Sequence, residues 1–231
     1  MAMDIIRIAI CILFTIWIHQ GKYSPPLAPS RKPSREFTEV AVLVGGLLIV
    51  PFFKFDLLWY SGWLSPYLLF GLIVPFVMEF LVCKRKLSLI GFRWPSNRRV
   101  LAIVAGLFAL YLTSRLVEPI VTGERYHLEL RGLLSNGILF PFLEEILFRG
   151  LIQTRLESAL GAVRSWIATG IFFGFYHCYV NYLIAGRALT FEDVLELVYL
   201  AAFGMLLGVI FSKTRSLLPS FIIHAVNNFS L

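Results

Sequence analysis

Two adjacent glutamates and an arginine, Glu144, Glu145 and Arg149, stand inside an apolar run, in the stretch FLEEILFRG at 142–150. The run extends from about Leu133 to Ile152, long enough to cross the hydrocarbon core of a bilayer. At that depth the backbone must satisfy its own hydrogen bonds, which makes the run a helix. Charges there are costly, so they mark either an ion pair that fixes helix packing or a functional site. Helix geometry sorts the three. Glu145 and Arg149 are four apart with the acid first, so they share a face and pair. Glu144 sits about 100° round the helix from Glu145 and has no such partner on its own helix. Apolar surroundings disfavour its charged form, which suits a general base.

The rest of the chain agrees with a membrane setting. Its 231 residues are 58% hydrophobic and its mean hydropathy is +0.78, more apolar than a soluble domain of this size requires. The expected fold is all-α: a polytopic transmembrane helical bundle of about eight spans, or seven if the first run does not cross. The site would lie in a cavity between the C-terminal helices. Cys11, Cys83 and Cys178 lie in apolar runs without metal-type spacing and read as packing residues.

Taken in order, the first apolar run is Ile5–Ile18, followed by the proline-rich basic linker 20–36. No small-residue cleavage site follows it, so it is read as a membrane helix and not a signal peptide. Residues 1–36 thus form an N-terminal membrane helix with its linker, and 37–231 one membrane domain. The second and third spans are about Phe37–Phe53 and Tyr67–Cys83, joined by an aromatic turn at 54–66 whose Trp59 and Trp63 suit the headgroup level. The basic stretch 84–99 precedes a fourth span, Val100–Leu116. A mixed-charge loop, 117–132, leads to the fifth. A polar link at about 154–165 separates it from the sixth, Trp166–Ile184. A loop carrying Arg187, Glu192, Asp193 and Glu196 precedes the seventh, Leu197–Phe211, and Leu217–Leu231 is the last.

The net charge of +7 does not point to nucleic acid, because the basic residues sort by side. With 84–99 in the cytoplasm, segments 20–36, 84–99, 154–165 and 212–216 share that side and hold fourteen Lys and Arg, against four (Lys54, Arg125, Arg131 and Arg187) opposite. That is a positive-inside bias, expected of a multi-pass protein of a prokaryotic inner or plasma membrane. Gly170 with Gly174, and Gly204 with Gly208, are small-xxx-small pairs that let helices approach closely.

Other polar groups sit at matching depth. His177 is eleven residues beyond Trp166, and Glu144 eleven beyond Leu133, each about 17 Å at 1.5 Å per residue. Phe173, His177 and Asn181 share one face, as do His224 and Asn228, with Asn227 turned away. Singly, each histidine or asparagine is as well read as an interhelical hydrogen bond. Together they can reach one cavity.

The patterns E-E-x-x-x-R at Glu144, Glu145 and Arg149, F-x-x-x-H at Phe173 and His177, and H-x-x-x-N at His224 and Asn228 resemble the CPBP family. These are the CAAX proteases and bacteriocin-processing, or Abi, intramembrane proteases. SLLPSFIIHAVNN resembles the family's last motif with its lead-in, and the resemblance covers about 133–231, the motif-bearing core of a protease domain at 37–231. It implies an intramembrane endopeptidase in which Glu144 activates a water assisted by His177, with Glu145 also counted in the catalytic group. His224 and Asn228 would stabilise the oxyanion, Arg149 would form a structural ion pair, and Phe173 would pack aromatically at the site. The implied partners are the lipid bilayer and a membrane-anchored or lipidated protein or peptide substrate. No cofactor is expected. Zinc is the second choice, with Glu144, His177 and His224 as its ligands, but there is no H-E-x-x-H. The competing class is a non-catalytic membrane protein, either a bacteriocin self-immunity factor or a proton-coupled transporter using the buried Glu and His as a relay. No repeat between the two halves supports a transporter.

Overall fold

The computed structural model describes residues 2–23, 25–27, 32–49, 73, 77, 81, 86–123, 132–184 and 186–228. The turn with Trp59 and Trp63, nearly all of the Tyr67–Cys83 span and half of the loop before the fifth span lie outside these residues, as does the Asn181 side chain. The described part is all-helical. Helices α1 (Ala2–His19) and α2 (Pro33–Ile49) precede a short 3-10 turn, Leu87–Ile90, and α3 (Arg98–Thr122). Leu133–Leu139, Phe140–Glu145, Ile146–Gln153 and Thr154–Leu160 follow one another without a break as α4. The first and third of these have wider, π-type turns. Ala162–Cys178 continues into Tyr179–Ile184 as α5, then come α6 (Phe191–Thr214) and α7 (Leu217–Asn227). Among the described residues, two helices are long and apolar enough to cross a membrane, α3 over Arg98–Val117 and α6 over Phe191–Thr214.

Two links expected as loops are helical. The polar stretch that begins at Thr154 continues α4 to Leu160, and Gly161, at φ +80°, makes the break before α5. Thr154, Arg155 and Glu157 are buried; Thr154 Oγ1 donates back to Arg149 O at 3.0 Å, and the other two find partners on distant segments. Arg155 Nε donates to Glu39 Oε2 at 2.7 Å on α2, and Glu157 pairs with Arg215 and accepts from Ser212. Likewise Glu192, Asp193 and Glu196 belong to the start of α6. Thr190 and Asp193 form a capping box there, with Thr190 N donating to Asp193 Oδ2 at 2.7 Å and Asp193 N to Thr190 Oγ1 at 3.3 Å.

Helix α6 is central and packs on α5, α1, α7 and α3. It meets α5 through the glycine pairs. A Cβ on Gly170 would lie 2.5 Å from Met205 N, and one on Gly204 would lie 3.0 Å from Gly170 Cα. Gly170→Ala is therefore expected to force the two backbones apart and destabilise the protein by about 1–3 kcal/mol or more. Thermal unfolding of the purified protein in detergent reads this, and an unchanged midpoint would refute the close approach.

The basic segments gather at one end of the bundle. Lys213 Nζ donates to His19 O, Gly21 O and Lys22 O at 3.0, 2.7 and 3.3 Å, closing the C-terminus of α1 with a cation where the helix dipole favours one. The same ammonium stands 3.7 Å from the Tyr23 ring centroid. Burial pushes the Tyr23 phenol up to about 12, and its oxygen accepts from Trp166 Nε1 at 3.1 Å. Ser96 N donates to Thr214 O, Ser216 Oγ to Arg93 O and Leu217 N to Gly91 O. Described parts of 20–36, 84–99, 154–165 and 212–216 thus interlock.

Candidate active site

Glu144 and Glu145 end the α-helical part of α4, and Arg149 follows in its wide-turned part. Such turns recur at functional sites. Glu145 and Arg149 are fully buried. Arg149 Nη1 is 3.4 Å from Glu145 Oε1, Nη2 donates to Gly204 O at 3.0 Å, and its guanidinium carbon lies 4.9 Å from the Phe173 ring centroid. The i,i+4 pair is therefore anchored to α6, and the acceptor is a carbonyl that only a glycine-lined crossing brings so near.

Glu145 has a second partner, 79 residues on. His224 Nδ1 stands 2.9 Å from Glu145 Oε1. A carboxylate only accepts, so Nδ1 carries the proton and Nε2 is turned the other way, 3.5 Å from Glu144 Oε2. His177 is fixed by the same logic. Its Nδ1 is 2.9 Å from Phe173 O and must donate, leaving Nε2 at 3.9 Å from the same Glu144 oxygen. Two imidazoles thus present Nε2 to one carboxylate oxygen. Glu144 is 5% exposed, and its Oε2 accepts no hydrogen bond from the described residues. A gap of 3.5–3.9 Å is too long for direct hydrogen bonding and matches groups that share a third, small polar molecule.

Phe173 organises the surroundings. Its ring centroid is 4.4 Å from that of His177 and 5.7 Å from that of His224, and Phe203 meets the other side of His224 at 5.6 Å. The structure brings Glu144, Glu145, Arg149, Phe173, His177 and His224 together. Asn228 stands at the end of α7, where its N–H donates to His224 O at 3.1 Å and its side-chain oxygen accepts from Asn227 Nδ2 at 3.3 Å. Asn227, expected to face away, is held by Tyr199, whose hydroxyl donates to its Oδ1 at 2.5 Å. Sequence reasoning missed Gly204 and Phe203 as neighbours of the charged groups. The small-xxx-small spacing flagged Gly204 for packing, but no local pattern shows that its carbonyl serves Arg149.

Among the described residues, no group of three His, Cys, Asp or Glu side chains converges as a metal-binding set. Comparison with known proteins gives one match, over residues 127–230, to the family model described as type II CAAX prenyl endopeptidase, Rce1-like. No curated protein matches the chain, and no solved structure does.

Proposed function

Residues 127–230 belong to the Rce1-like family of CAAX proteases, and from that premise we propose that the protein is a multi-pass intramembrane endopeptidase. It would cut a peptide bond in a membrane-associated or lipidated protein using water activated by Glu144. The family are membrane endopeptidases, and the exposed apolar side chains of α1 and α3, among them Leu13, Trp17 and Ile120, suit a lipid-facing surface. The basic end, with its fourteen-to-four excess in sequence, is the cytoplasmic one on this reading.

The observation that carries the proposal is the buried Glu144 oxygen that faces two Nε2 atoms and accepts no hydrogen bond from the described residues. A water held between Glu144 and His177 gives one proton to Glu144 as its oxygen attacks the scissile carbonyl carbon. The carbonyl π electrons move to oxygen. His224, held through Nδ1 by the Glu145 carboxylate, turns Nε2 toward the site and donates to that oxyanion on taking up a second proton, and Asn228 is assigned as the second donor. Collapse re-forms the carbonyl and breaks the C–N bond, and Glu144 returns the proton to the leaving amine. On this reading no step is routed through a metal, and Glu144, His177 and His224 are the residues that would hold zinc if the reaction used one.

The test compares protein termini in membranes of cells making the wild-type protein or Glu144→Gln at equal abundance. New termini confined to the wild type are expected, and their sequences would identify the substrate class. Matching profiles with both proteins folded would sink the protease reading and favour a non-catalytic membrane role. Cleavage should also survive a chelator; loss restored by zinc would overturn the metal-free mechanism.

A further inference from the structure

Of the 21 Lys and Arg, all but Arg7, Arg115 and Arg149 fall in the loops and helix ends of the expected topology. Arg149 belongs to the candidate active site. The other two line one cavity of about 230 Å³ between α1 and α3, together with Ser114 and the apolar walls Ile6, Ile10 and Leu110. Charge is costly at such depth and is placed there for a reason. Counting along α3, Arg115 is seventeen residues beyond Arg98, about 25 Å from the basic end. That is close to the far boundary of a core roughly 30 Å thick. Arg7, twelve residues before His19, lies about 18 Å from the basic end. Asp4, a turn before Arg7, is the opposing charge on α1.

We propose that this cavity holds one anionic phospholipid, its phosphate on Arg115 and Arg7 and the start of an acyl chain along Ile6, Ile10 and Leu110. The volume is below that of a drug-sized pocket and suits a headgroup with part of a chain. Ile6 and Leu110 are exposed, so the cavity opens sideways, toward lipid on the membrane reading. A free phosphate would gain nothing from those walls. Arg115 also donates from Nη2 to Asn227 O, at the end of α7, one turn beyond His224. A guanidinium has five donors in a planar fork, so one Arg115 can join the lipid phosphate to the helix that carries His224. Lipid occupancy would thereby steady the end of α7.

The site rests on the membrane placement above, and the experiment keeps the two apart. Purified, delipidated protein in neutral detergent is titrated with dioleoyl phosphatidylglycerol, dioleoyl phosphatidylcholine or inorganic phosphate. Thermal unfolding and native mass spectrometry are the readouts. Phosphatidylglycerol is expected to raise the midpoint saturably and to be retained as one molecule, with phosphatidylcholine and phosphate giving neither. Arg7→Gln should weaken retention about fivefold, the effect of one basic group on an anionic lipid. Leu110→Trp, which fills the cavity without touching its charge, should weaken it about tenfold. Each variant is scored only where its lipid-free midpoint matches the wild type, and Arg7→Gln is the milder change. Equal binding of the two lipids, protection by inorganic phosphate, or undiminished retention in Arg7→Gln would overturn the site. A protein that stays monodisperse without detergent would instead overturn the membrane placement.

Discussion

Arg149→Met is expected to destabilise the protein by about 3–5 kcal/mol, the cost of breaking a buried ion pair from one side. Met is long, flexible and apolar, so lost volume is a minor part of that cost. The larger part is what remains. Glu145 is fully buried, and without the guanidinium at 3.4 Å it is left to hydrogen bonding, chiefly with His224. Gly204 O also loses the donor at 3.0 Å, and a lost buried hydrogen bond from a charged group adds about 1.5–3 kcal/mol. Thermal unfolding in detergent and the amount accumulating in membranes measure the loss. Replacing both partners, Arg149→Met with Glu145→Met, should recover much of the stability, since the pair leaves together. It should not recover cleavage, because His224 loses the carboxylate that holds Nδ1. Wild-type stability in the single variant would show that the pair does not hold α4 to α6.

The histidines separate catalysis from structure. His177→Ala and His224→Ala should each lower cleavage about 10²–10⁴-fold, the usual contribution of a positioned acid–base group, and Glu144→Gln should fall in the same range. Their effects on stability should differ. The His177 side chain is 18% exposed and touches the site from its edge, so its loss should move the unfolding midpoint little. His224 is 2% exposed, lies between Phe173 and Phe203 and satisfies Glu145. Alanine there leaves a cavity and a carboxylate short of a donor, at a cost of about 2–4 kcal/mol. A His177→Ala protein that cleaves at the wild-type rate would remove His177 from the mechanism. A His224→Ala protein as stable as the wild type would remove its structural role.

How much of this was legible in the chain follows from distance along it. The Glu145–Arg149 pair and the Phe173–His177 bond lie within one helical turn, and 3.6-residue periodicity reveals such neighbours directly. Apolar run length and the distribution of Lys and Arg pointed to helices and to one basic end. The glycine spacing pointed to a close crossing of α5 and α6. Misreading 154–165 as an exposed link had a physical cause. Arg155 and Glu157 are polar enough for a loop, and they are buried because Glu39, Ser212 and Arg215 meet them from elsewhere.

By itself the sequence pointed to helices in the part of the chain the structure describes and to the polar groups that stand within them. These are local or additive properties of composition and period. Tertiary structure alone decided which oxygen faces which nitrogen. The approach of His177 and His224 to Glu144, at 3.9 and 3.5 Å, joins α4, α5 and α7. The tautomers of both imidazoles were decided there too, by a backbone carbonyl and a carboxylate that only folding places within reach.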